Sequence, residues 1–213
     1  HDAHTAMLVG AARVLAARRN ELQGRVRFMF QPGEEGFAGA RLMIDEGVLD
    51  NVDRAFALHV SPNQRVGTAS CRPGPLLAGD TSITVTVRGH GGHASTPHLP
   101  TDPIPATAAI ITALQTTVTR EVDVFDPAVL TIAHVVAGTT SNVIPETALF
   151  EGTIRCISER TRTHIREAVA RTIRGVAEAH GCTVDIEMVD GYPVTLNDVG
   201  EAARFAEVCR ATL

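Results

Sequence analysis

Between residues 78 and 190 the chain spells strand, helix, strand, strand, helix, strand, and few folds accept that order. Ser82, Thr84 and Thr86 alternate with Ile83, Val85 and Val87, the period-two pattern of a strand with one wet face. A loop rich in Gly and His follows. A helix from about Ile104 to Arg120 then starts behind Asp102 and Pro103, a pair suited to a first helical turn. Residues 129–136 and 148–155 read as two further strands, the second after Pro145. Residues 160–180 read as a long helix with Ile165, Val169, Ile173 and Val176 on one side and Gly181 at its end, and residues 184–189 alternate again as a last strand. The sum is a split βαβ domain, an antiparallel sheet with both helices on one face.

The flanks have a different pattern. Residues 5–19, rich in Ala, Leu and Arg, predict a helix, and residues 26–30 predict a short buried strand. Gln31, Pro32, Gly33, Glu34, Glu35 and Gly36 follow at once, then a second helix through Ile44 that Gly47 stops. Residues 55–58 predict another buried strand, with His59 at its carboxyl end. Strand, helix and strand with short loops suggest a parallel α/β layer, whose ligands bind beyond the carboxyl ends of the strands. Residues 198–209 read as a helix belonging to this layer. The expected organisation is a catalytic α/β domain left at residue 77 and resumed at residue 191, with residues 78–190 inserted, since insertions are tolerated where chain ends lie close together.

Charge and composition narrow the function. The 19 Lys and Arg are outweighed by 24 Asp and Glu and form no basic stripe, which argues against nucleic acid. The apolar runs at residues 106–111 and 129–137 are far shorter than the roughly 20 residues of a membrane helix. Cys71, Cys156, Cys182 and Cys209 show no CxxC pairing, so a reducing, cytoplasmic setting is the expectation. Because the sequence opens on His1 and Asp2 rather than Met, a piece of a longer protein is expected.

Three segments bring metal-capable side chains toward one sheet edge: His1, Asp2 and His4; Glu34 and Glu35; and His59. Imidazole nitrogen with carboxylate oxygen suits zinc, cobalt or manganese. Adjacent Glu side chains are expected to diverge, so that one ligates a metal while the other takes a proton from water. A solvated acidic face is the plain alternative. Gly89, His90, Gly91, Gly92 and His93 form a second candidate loop, poor as a metal pair and poorer as a phosphate cradle because no Lys follows. Asn142, in the polar turn from Gly138 to Val143, offers a hydrogen-bond donor, and Arg155 could hold a carboxylate in bidentate fashion or form a surface ion pair.

These residues resemble the metal-dependent aminoacylase and carboxypeptidase family, in particular its branch of hippurate hydrolases and N-acyl amino acid amidohydrolases, which includes the plant auxin-conjugate hydrolases. The resemblance is carried by the segment from His1 to Thr5, by Gln31 to Gly36, by His59, by Gly91, Gly92, His93 and Ala94 with Pro97, and by Gly138 to Pro145 and Gly152 to Arg155. It implies a partial zinc-peptidase-type catalytic domain, residues 1–77 and 191–213, carrying a ferredoxin-like lid and dimerisation domain at residues 78–190.

By that resemblance His1, Glu35 and His59 are metal ligands for two divalent ions, zinc, manganese or cobalt, and Glu34 is the general base and later acid. His93 helps polarise the scissile carbonyl, often in the active site of a partner subunit of a homodimer, while Asn142 and Arg155 bind a small-molecule N-acyl amino acid or peptide. Two features of the branch do not appear: a Cys ligand two positions before the residue matching His1, and a further His ligand toward the carboxyl terminus. A dipeptidase or carboxypeptidase of the same fold, or a non-catalytic dimerisation or binding fragment, are the competing expectations.

Overall fold

The computed structural model describes residues 1–212, and the chain divides into two compact units, residues 1–69 and 70–212. The first unit holds helix α1 (Asp2–Ala17), a single 3₁₀ turn (Arg19–Glu21), the short helix α2 (Glu34–Phe37) and helix α3 (Gly39–Asp45). The second holds β1 (Gly74–Leu77), β2 (Gly79–Arg88), β3 (Gly92–His93), α4 (Pro103–Glu121), β4 (Ala128–Ala137), β5 (Val143–Ile144), β6 (Thr147–Cys156), α5 (Glu159–Ala179), β7 (Thr183–Asp190), β8 (Thr195–Asn197) and α6 (Val199–Thr212). The chain is thus a mixed α/β protein. No helix among the described residues is long and apolar enough to cross a membrane.

In the second unit β4, β6, β2 and β7 lie side by side in that order, every neighbouring pair antiparallel. Alternation decides which side chains face the helices. Ile83, Val85 and Val87 from β2, Leu130 from β4, and Phe150 and Ile154 from β6 are buried against Ala106, Ile110 and Leu114 of α4 and Ile165, Val169, Ile173 and Ala177 of α5. Complete burial of each large apolar side chain in that set stabilises by about 1.5–3 kcal/mol. Val176, expected on the same helical side, packs partly buried against this core.

The helix ends follow their sequence signals. Asp102 accepts the N–H of Ile104 at 2.9 Å ahead of Pro103, and the Ser158 hydroxyl accepts the N–H of Thr161 at 3.1 Å at the start of α5. At the other end of α5, Gly181 takes φ +71°, its N–H reaching Glu178 O at 2.9 Å and that of Cys182 reaching Ala177 O at 2.9 Å. That pair of bonds is a Schellman cap, which satisfies two otherwise orphaned carbonyls. Arg162 is a buried cation of α5, and it binds Asp80 O at 2.9 Å and Asp190 at 3.3 Å, tying the start of β2 to the end of β7. A guanidinium removed from water needs such partners.

The parallel α/β layer expected in the first seventy residues does not form as hydrogen-bonded strands. Residues 26–30 and 55–58 carry no ladder, and Phe30, Phe56 and Leu58 remain largely exposed. Apolar residues of strand type supply only half of a strand. The other half is a neighbour whose N–H and C=O groups complete the ladder, and no described residue provides one.

Candidate metal centre

His1 caps the amino end of α1, and Glu34 and Glu35 form the first turn of α2. The three offer ligand atoms that all lie within 4.8 Å of one another. His1 Nδ1 stands 3.4 Å from Glu34 Oε2 and 3.5 Å from Glu35 Oε1, so the two carboxylates approach the same ring nitrogen. This differs from the expected divergence of neighbouring side chains. The turn is locally irregular: Glu35 has ψ 100° and Gly36 has φ +83°, so the helix is broken just after the Glu pair, at the Glu35–Gly36 junction. Gly36 supplies a left-handed conformation that other residues avoid. Behind it Gly39, whose Cβ would meet Pro32 O at 1.7 Å, lets the backbone of α3 close on the loop. All three candidate ligands are exposed, which leaves them reachable by an ion and by a small substrate.

His59 stands outside this tight set but beside it. Its ring meets that of His1 edge-on, centroids 5.6 Å apart, and its Nδ1 lies 2.7 Å from Val60 O. A carbonyl can only accept, so Nδ1 carries the proton and Nε2 keeps its lone pair for a metal. His4, one helical turn beyond His1, packs against both rings, at 5.0 Å from His1 and 4.5 Å from His59. No role follows for His4 from its residue type; its spacing of three from His1 on a helix is the signal that places the two side by side. One imidazole nitrogen and two carboxylates within bonding reach of a common point, with a further imidazole nearby, fit a divalent ion such as zinc, manganese or cobalt.

In the second unit β3 and β5 pair Gly92 with Ile144 and His93 with Val143, and Ala94 donates its N–H to Asn142 O at 3.0 Å. The His93 loop and the Asn142 turn are therefore stitched together. Ser95 donates its N–H to His93 Nδ1 at 3.2 Å, which leaves Nε2 as the protonated nitrogen and an available donor. The Asn142 side-chain oxygen accepts from the Thr140 hydroxyl at 3.0 Å, so its amide N–H groups remain for another acceptor. Arg155 is not brought to this pair. It lies exposed near the other end of β6, opposite Asp80 and Val129, roughly 27 Å along the strand from Thr147 at the ordinary rise per residue.

A mixed α/β chain that brings imidazole and carboxylate groups together on a broken loop belongs to the class of proteins able to hold a divalent ion there. The whole chain, residues 1–213, matches the peptidase family M20/M25/M40, and it is a member of that family. It is 40% identical over 198 residues to N-acetylcysteine deacetylase of Bacillus subtilis, covering 93% of this chain and 52% of that protein. It is 39% identical to the IAA-amino acid hydrolase ILR1-like 4 of Arabidopsis thaliana, covering 93% of this chain and 46% of that protein. A crystal structure of a dinuclear metal binding peptidase of family M20 from Bacillus subtilis superposes with a TM-score of 0.80 at 35% identity, over 98% of this chain and 52% of that one. The chain spans about half the length of the curated relatives it matches.

Proposed function

We propose that the protein containing this chain is a metal-dependent amidohydrolase that cleaves the amide bond of N-acyl amino acids. The observation that carries the reading is the convergence of His1, Glu34 and Glu35 in a family M20 chain. The names of its relatives, a deacetylase of N-acetylcysteine and a hydrolase of IAA-amino acids, supply the substrate class.

In this reading His1, Glu35 and His59 hold two divalent ions together with ligands elsewhere in the protein. Bound ions supply Lewis acidity, which polarises the amide carbonyl and lowers the pKa of water. Glu34 takes the proton of the attacking water and delivers it to the leaving amine. His93 donates its Nε2–H to the carbonyl oxygen as negative charge develops there. Asn142 donates its amide to the substrate, whereas Arg155, at the far end of β6, does not reach the same small molecule within one copy of the chain.

Residues 78–190 are, on this account, a ferredoxin-like lid inserted between the two catalytic segments, residues 1–77 and 191–213. Pairing of β1 with β8 supports the insertion, because it lays the strand before the lid beside the strand after it. The lid would also join two copies in a homodimer, through an edge left open by β4 or β7. A cytoplasmic setting is favoured by four free cysteines.

The test is metal analysis of the full-length protein combined with a substrate panel of N-acetyl amino acids, hippurate, indole-acetyl amino acids and unblocked dipeptides. The reading expects stoichiometric divalent metal and turnover of the acylated substrates. Metal-free protein that stays inactive with added zinc, manganese or cobalt refutes it, and turnover of dipeptides alone reassigns the enzyme as a dipeptidase.

A further inference from the structure

We propose that His4 is a positioning residue that buckles the segment carrying His59 onto helix α1, so that the imidazoles of His1 and His59 are presented together. The inference rests on the metal-centre reading above. It concerns a residue that is not itself in the convergent set of ligand atoms.

Residues 54–61 form neither helix nor strand, so no regular ladder fixes where His59 sits. His4 supplies a fixed point. Its Nε2 accepts the backbone N–H of Val60 at 2.9 Å, a hydrogen bond across 56 residues of sequence to the position next to His59. Because an N–H must donate, Nε2 of His4 is unprotonated and the ring's proton sits on Nδ1. Val60 thus uses both of its backbone groups on this cluster: the N–H holds His4, and the carbonyl holds Nδ1 of His59 at 2.7 Å.

The helix does the rest. His1 caps α1 and His4 follows three positions later, which puts the two side chains on neighbouring places of one helical face. The His4 ring lies 5.0 Å from that of His1 and 4.5 Å from that of His59, closer to each than their mutual 5.6 Å. His4 is therefore the spacer and the hook. Its Nδ1 is buried without a hydrogen-bond partner, so the bond from Val60 is the one that fixes the ring.

Outer groups that orient metal ligands commonly change metal affinity by about 10- to 100-fold when removed. In the full-length protein, His4→Phe keeps an aromatic ring of similar size and loses the acceptor, whereas His4→Gln places an amide oxygen near the position of Nε2. Zinc affinity by chelator competition and the visible absorption of the cobalt-substituted protein are the readouts, with circular dichroism and cooperative melting as the check on folding. We expect zinc affinity to fall about 10- to 100-fold and the cobalt spectrum to change in His4→Phe, with substantial recovery of both in His4→Gln. Wild-type affinity and spectrum in a folded His4→Phe overturn the proposal, and so does equal loss in both variants, which would remove the Val60 hydrogen bond as the agent. Wild-type protein that binds no metal instead overturns the metal-centre reading and this inference with it. A measurement on the unaltered protein does not depend on how the variants fold: long-range ¹H–¹⁵N spectra at pH 8 should show both His4 and His59 protonated on Nδ1, and a proton on Nε2 of His4 rejects the hook.

Discussion

Ser95 faces His93 twice: its backbone N–H donates to Nδ1 at 3.2 Å, and its hydroxyl oxygen lies 2.8 Å from the same nitrogen. The contact selects one tautomer and aims the remaining N–H outward, as a group that stabilises an oxyanion requires. His93→Ala in the full-length protein is expected to lower kcat by about 10²- to 10³-fold, the usual effect of losing one such donor, while metal content stays at the wild-type level. Steady-state kinetics beside metal analysis checks this. A variant with unchanged kcat would remove His93 from the reaction.

Residues 78–190 are expected to fold alone and to self-associate. Their core is complete within the segment, from Ile83 on β2 to Ile173 on α5, and Phe150 at its centre is fully buried. Phe150→Ala should destabilise the isolated segment by about 3–5 kcal/mol, measured by denaturant unfolding. Sedimentation should show dimers, because β4 leaves an open edge on which Val135 and Val136 are half exposed. A segment without a cooperative transition contradicts the boundary, and one that stays monomeric at high concentration contradicts the association.

Asp126 makes stability depend on acid. Its carboxylate accepts hydrogen bonds from the hydroxyls of Ser158 at 2.6 Å and Thr161 at 2.7 Å and from Arg160 at 3.0 Å, and these hold its pKa below the ordinary aspartate value, Ser158 contributing most. A depressed folded-state pKa stabilises the fold above the unfolded value of about 3.9 and is lost as pH falls through the folded value. Wild-type protein should therefore be more stable than Asp126→Asn at neutral pH, with the difference shrinking below about pH 4. Thermal melts of both proteins across that range check it. A gap that stays constant with pH would show that the carboxylate's charge is irrelevant.

The sheet and its helices were legible because each residue's place is set by its own short-range pattern. Alternation around Ile83, Val85 and Val87, helical spacing of Ile165, Val169 and Ile173, and the Asp102 and Gly181 caps all signal locally. The pairings of β1 with β8 and β3 with β5 are two to four residues long, too short to carry a period. The irregularity in β4 between Ile132 and His134 shifts the register with no Gly or Pro in β4 itself; the glycine that accommodates it, Gly152, lies opposite on β6. Residues 26–30 and 55–58 failed as strands because pairing depends on a neighbour that local composition does not reveal. At the candidate site the residue types and the meeting of their segments were read from the sequence, whereas the approach of both carboxylates to one nitrogen of His1 and the reach of His4 to Val60 were not, because they depend on torsions and long-range contacts that no local pattern carries.

The division of labour between Glu34 and Glu35 is the centre of the account, and both carboxylates now stand within 3.5 Å of His1 Nδ1. Removing a general base commonly costs about 10²- to 10⁴-fold in rate, whereas removing a ligand costs metal first. Metal content and hippurate or N-acetyl amino acid turnover, measured on the same preparations of full-length Glu34→Gln and Glu35→Gln, separate the two roles. The account predicts that Glu34→Gln retains its metal and loses at least about 10²-fold in kcat, while Glu35→Gln loses metal affinity. Glu34→Gln protein that loses metal and activity in proportion, or that keeps wild-type turnover, would contradict it.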